Sequence, residues 1–204
     1  ARLGSGSAAR AIFGGFVHFP AGAERGEPLF GPDHWPEFRV LAVALHRGTK
    51  SLSSRAAMNR TADTSPYYDA WIADAPKLTH RAIEAISRRD LQKLGESARL
   101  SYLRMFSTMF ASDPPILYWR PESVVLIKLL EELRKSGIPA WETMDAGPQV
   151  KVITNAESLP LITGEIEDRM PEADITICSA GPGARLIEST ELTASEASAL
   201  GAGS

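Results

Sequence analysis

Two rhythms of apolar and polar positions run along this chain. Residues 38–45 are a β-branched and apolar run and read as a buried strand. Residues 16–19, 141–144 and 150–154 read as further strands, the last two joined through Asp145-Ala146-Gly147-Pro148. A final hairpin is expected from 175–178 and 184–187, turning at Gly181-Pro182-Gly183. The helical rhythm starts early: Ser5-Gly6-Ser7 caps a short helix over 8–13 that Gly14-Gly15 stops. Thr64-Ser65-Pro66 predicts the start of a long helix reaching Arg88, with Tyr67, Tyr68, Trp71 and Ile72 on its apolar face and Pro76 as a point of kinking. Residues 91–110 form the next helix, which Asp113-Pro114-Pro115 ends. Residues 121–135 carry a wide apolar face of Val124, Leu126, Ile127, Leu129, Leu130 and Leu133, and Gly137 closes that helix. A fourth long helix covers 158–170. Residues 20–36 and 50–60 read as loops, the second with a short turn. Helices lying between hairpin-linked strands predict an α+β fold with antiparallel sheet.

Length and charge narrow the partners. The chain has 204 residues, enough for a real core in one large or two small domains. Its net charge of -3 argues against a nucleic-acid binder, which needs a clustered basic surface; the longest basic cluster is Arg88-Arg89. The one cysteine, Cys178, lies in a strand and reads as a small buried apolar residue. No apolar run approaches the roughly 18 residues that span a bilayer, and no secretory signal is visible, so a cytoplasmic protein is expected. The four histidines carry no metal-ligand spacing, so no metal held by protein side chains is expected.

Four motifs carry candidate chemistry. Ser5, Gly6 and Ser7 lead into Ala8, Ala9 and Arg10. A helix N-terminus with hydroxyls and an arginine one turn on is an anion site, and the planar guanidinium suits a carboxylate. Asp145 sits at a strand end before a Gly-Pro turn that presents its side chain or caps the turn. Ser51-Leu52-Ser53-Ser54-Arg55 is a hydroxyl-rich loop with a cation, and Thr64-Ser65 is a helix cap. Taken singly, each is also what an ordinary cap, Asx turn or solvated loop looks like.

Their order is more informative. SGSAARAIFGGFV, HWPEFRVLAV, KSLSSRAAM, TSPYYDAW, DPPILYWRPESV and MDAGPQVKV together resemble the mevalonate-diphosphate decarboxylases, of the kinase superfamily that also holds galactokinase, homoserine kinase and mevalonate kinase. The resemblance covers 1–187. It implies a GHMP-kinase-like two-domain fold: 1–45 would finish an incomplete N-terminal, ATP-binding domain, 46–187 would form the C-terminal domain of helices on an antiparallel sheet, and 188–204 would be a flexible tail.

The resemblance also implies roles. Arg10 would grip the substrate carboxylate, with Ser5, Gly6, Ser7, Ala8 and Ala9 beside it. Asp145 would be the catalytic carboxylate, and Ser54, Arg55 and Ser65 would line the phosphate end. The implied reaction is ATP-dependent decarboxylation of mevalonate 5-diphosphate to isopentenyl diphosphate in isoprenoid biosynthesis, by a homodimer using ATP and Mg2+. Three positions depart from the family's pattern: Ala9 for its Cys, His18-Phe19 for its Glu-Trp, and Met105-Phe106 for its Met-His. They keep open a subgroup that acts on mevalonate 5-phosphate and yields isopentenyl phosphate. The family's substrate-side lysine and phosphate loop have no counterpart in these 204 residues. The chain alone is therefore expected to bind ATP poorly and turn over little, and a non-catalytic binding module is the alternative of another class.

Overall fold

Leu41 and Val43 are almost completely buried, alternating along β3 (Phe38–Ala44) as the strand pattern requires. The structure, a computed structural model, describes residues 8–45 and 52–185. Ser5, Gly6, Ser7 and the tail 188–204 lie outside the described residues. Two compact units are found, which among the described residues comprise 8–34 with 180–185, and 35–179.

In the smaller unit, α1 (Ala8–Ala11) is followed by β1 (Phe16–His18) and β2 (Glu27–Phe30), an antiparallel pair with Phe16 opposite Phe30 and His18 opposite Glu27. The expectation of a loop across 20–36 missed β2. Pro28 weakens the strand signal there, yet a two-stranded ribbon has free edges where a missing N–H costs nothing. Gly14 and Gly15 both have positive φ, +66° and +59°, and follow α1, which ends at Ala11, earlier than the expected 8–13. They also leave room for other chain: a Cβ on Gly14 would meet the Gly183 nitrogen at 2.2 Å, and one on Gly15 the Phe30 oxygen at 2.2 Å. The Gly15 N–H donates to the Gly181 carbonyl and the Ala184 N–H to the Ile12 carbonyl. Among the described residues, Ala184 and Arg185 form no strand, so the expected final hairpin does not form there.

In the larger unit, the strand order is β4-β5-β3-β6, every neighbour antiparallel. β4 (Trp141–Met144) and β5 (Val150–Asn155) are the expected hairpin, while β6 (Asp174–Cys178) pairs with β3. β3 thus sits inside this sheet, and the boundary between units falls before Trp35, whereas the sequence reading divided the chain after residue 45. Cys178 is exposed, not buried: among the described residues β6 is an outer strand, paired with β3 alone.

The helices are α2 (Ser54–Thr64), α3 (Tyr68–Arg88), α4 (Leu91–Phe110), α5 (Pro121–Lys135) and α6 (Leu159–Arg169). One core cluster joins Leu41, Val43, Val150 and Val152 of the sheet to Phe106, Met109, Leu126, Leu130, Ile162 and Ile166 of the helices. From Ser54 on, α2 stands where a loop was expected. Only Ala57 and Thr61 are buried on it, so it carries almost no apolar period, although Ala and Arg favour helix. Thr64 and Ser65 end α2 rather than start α3: the Ser65 N–H donates to the Thr61 carbonyl, and α3 begins at Tyr68, continuing through Pro76. The α3 face expected in the core is partly outside it, with Tyr67 58% and Ile72 47% exposed. At the end of α5, Gly137 has φ +85°, and the Ile138 N–H reaches back to the Leu133 carbonyl, the left-handed close expected there. Among the described residues, no helix is long and apolar enough to cross a membrane.

Candidate active site

The β4–β5 hairpin ends at the pair Met144–Val150, leaving Asp145-Ala146-Gly147-Pro148-Gln149 as its turn. Three side chain–main chain hydrogen bonds anchor the turn. The Ser54 hydroxyl, at the start of α2, donates to the Ala146 carbonyl at 3.3 Å. The Ser123 hydroxyl, in the first turn of α5, donates to the Pro148 carbonyl at 2.8 Å. The Leu45 N–H, past the end of β3, donates to Gln149 Oε1 at 2.8 Å. Ala146 is buried beneath this frame.

The Asp145 side chain stands out from the anchored turn, 86% exposed. The Lys151 ammonium of β5 donates to its carboxylate. Lys151 lies opposite Thr143 in register, two residues before Asp145, so all three sit toward one face of the hairpin.

Ser54 and Arg55 open α2, both exposed, behind the N-cap Ser53, whose hydroxyl accepts the Ala56 N–H. The fold therefore brings the predicted Ser54 to the turn that carries Asp145. It does not bring Ser65 there. Ser65 closes the other end of α2, about 16 Å away for an eleven-residue helix, and its hydroxyl accepts the Tyr67 N–H. Arg10 is exposed on α1, with Ala8 and Ala9 in the same turn of helix, in the smaller unit. Among the described residues, no group of His, Cys, Asp or Glu side chains is placed to hold a metal ion.

Sequence reasoning missed Lys151, Ser123 and Gln149. Lys151 had a signal, a lone cation inside an otherwise apolar strand run. Ser123 had none, because its partner is 25 residues away. One departure from the family pattern is a matter of packing: Phe106 is fully buried, between Tyr102 and Trp119 in an aromatic cluster.

Residues 40–199 match the family described as "Mevalonate 5-diphosphate decarboxylase C-terminal domain". The diphosphomevalonate decarboxylase of Ganoderma lucidum is 32% identical over 187 residues, 85% of this chain and 47% of that protein. Among solved structures, MDDEF in complex with MVAPP, AMPPCP and magnesium superposes with a TM-score of 0.85 at 35% identity, over 92% of this chain and 59% of the other. A structure of the mevalonate diphosphate decarboxylase from Enterococcus faecalis, concerned with mevalonate diphosphate mediated ATP binding, gives 0.80 at 34% identity over 92% and 58%. The chain thus spans about half the length of the curated relatives it matches.

Proposed function

We propose that this chain, which belongs to the mevalonate 5-diphosphate decarboxylase family, carries the decarboxylating residues of an enzyme that turns mevalonate 5-diphosphate and ATP into isopentenyl diphosphate, ADP, phosphate and carbon dioxide. One observation supports this reading above the others. The turn 145–149 is anchored by three hydrogen bonds, yet leaves the Asp145 carboxylate projecting from it.

A fixed carboxylate suits both halves of the reaction. ATP phosphorylates the tertiary 3-hydroxyl, whose proton Asp145 accepts or orients. When the 3-phosphate leaves, positive charge develops at carbon 3, and the same carboxylate stabilises it electrostatically. The carbon–carboxylate bond then breaks, and its electron pair forms the alkene as carbon dioxide departs. Arg10 is proposed as the partner of the substrate carboxylate, with Ser5 and Ser7 beside it, because a guanidinium holds two carboxylate oxygens at once. Ser54 and Arg55, at the start of α2, are proposed for phosphate oxygens. Ser65 serves its turn and is not assigned a substrate contact. Mg2+ would arrive bound to the nucleotide phosphates. A homodimer in the cytoplasm belongs to the same proposal, and light scattering tests the dimer.

The test is ATP-dependent release of carbon dioxide by the full-length protein, with mevalonate 5-diphosphate and the 5-phosphate as rival substrates. Asp145→Asn is expected to lower the rate with the diphosphate at least about 100-fold, the scale of a lost general base. An Asn variant that keeps its rate would remove Asp145 from the mechanism.

A further inference from the structure

Two anchors hold the turn's backbone at Ala146 and Pro148, a third holds the Gln149 side chain, and one freedom is left open. An exposed aspartate turns among several staggered rotamers about its first side-chain bond. Among the described residues, the hydrogen-bond partner of the Asp145 carboxylate is Lys151. Lys151 comes from the paired strand, and the register opposite Thr143 aims it at the strand end where Asp145 begins the turn. Its side chain is 37% exposed and does not join the apolar core.

An ion pair this exposed adds little to folding stability, because both charges are well solvated without it. The same small energy matters more to orientation, where it shifts a rotamer population by up to roughly fivefold. We propose that Lys151 is the positioning residue for Asp145: its ammonium selects the carboxylate orientation that faces the reacting carbon. The assignment of that purpose rests on the decarboxylase reading, whereas the orienting contact does not. Lys151 touches no reacting atom in this scheme and acts through Asp145.

Two measurements test it. In turnover by the full-length protein, Lys151→Met is expected to lower kcat about fivefold, with KM for both substrates changed less than about twofold and the melting temperature unchanged. Lys151→Arg should restore most of the rate. The Asp145→Asn/Lys151→Met double variant should be no slower than Asp145→Asn alone, because the orienting effect has nothing left to act on. Unchanged kcat in Lys151→Met, or losses that multiply in the double variant, would overturn the proposal. Independently of turnover, nitrogen-detected NMR of lysine ammonium groups reads the contact itself. A hydrogen-bonded Lys151 signal, assigned through its absence in Lys151→Met, should disappear in Asp145→Asn. If it persists there, or is never seen, the orienting contact fails. If Asp145→Asn keeps full turnover while that signal behaves as expected, it is the decarboxylase reading that falls, not the contact.

Discussion

Three donors converge on the carboxylate of Glu142, which is fully buried in β4: Arg99 Nε at 2.7 Å, the Tyr102 hydroxyl at 3.1 Å, and Arg134 Nη1. Arg134 also donates to the Ala140 carbonyl and lies 5.0 Å over the Trp141 ring. Burial pushes the Tyr102 phenol well above its ordinary range, and the neighbouring carboxylate adds to that. Burial works against the charge on Arg99, but the hydrogen bond to Glu142 and the attraction of the negative charges around it together outweigh this and raise its pKa. The partners pin the start of β4, the strand that leads into Asp145, against α4 and α5. Glu142→Gln should therefore be costly, since it leaves buried cations without a counter-charge. Removing one partner of a buried pair costs about 3–5 kcal/mol. The lower end is expected here, because Arg99 is 34% exposed and can turn to water, whereas Arg134 is 12% exposed and cannot. A urea midpoint for Glu142→Gln matching the unsubstituted chain would show that the cluster adds nothing.

Two of the helices, α5 and α4, carry small devices of their own. On α5, Glu131 lies between Lys135 and Lys128, four residues after and three before it, and their hydrogen bonds hold its pKa down to about 2. A carboxyl whose folded pKa is depressed stabilises the fold above its ordinary pKa, and that contribution is lost as pH falls through the depressed value. The window here runs from pH 4.5 down to about 2. Glu131→Gln should lower the neutral-pH melting temperature slightly and flatten its fall across that window by the same small amount, since the groups are at the surface. An equally steep fall in the variant would assign the acid sensitivity elsewhere. α4 shows a device of another kind. Gly95 faces Trp141, whose ring lies 2.0 Å from where a Cβ would stand, so α4 meets β4 only because residue 95 has no side chain.

At the scale of the whole molecule, every residue of the buried core cluster, from Leu41 to Ile166, lies within 35–179. That unit also holds the complete four-stranded sheet and helices α2 to α6. A fragment of residues 35–179 is expected to unfold in urea in one cooperative transition, with dispersed amide resonances, because its core and backbone pairing are self-contained. A broad, non-cooperative loss of structure would show that the core depends on the remaining residues. A fragment starting at residue 46 should fail this test, since it lacks β3 and breaks the sheet between β5 and β6.

The sequence by itself determined the elements whose signals are local. α4 and α5 are marked by apolar period and by breakers at their ends, and the Gly137 close and the β4–β5 hairpin by residue types within a few positions. The family, too, was legible in ordered short blocks. Tertiary structure alone decided what depends on distant partners. β3 joins β5 across more than 100 residues, and Ser54 reaches Ala146 across 92. α2 lacked an apolar stripe because it buries little, and β2 contains a proline that only a ribbon edge accommodates. Asp145 was readable as a candidate, but the frame that holds it and the lysine that orients it were not. Hydrogen bonds between remote segments leave no periodic trace in the residues that make them.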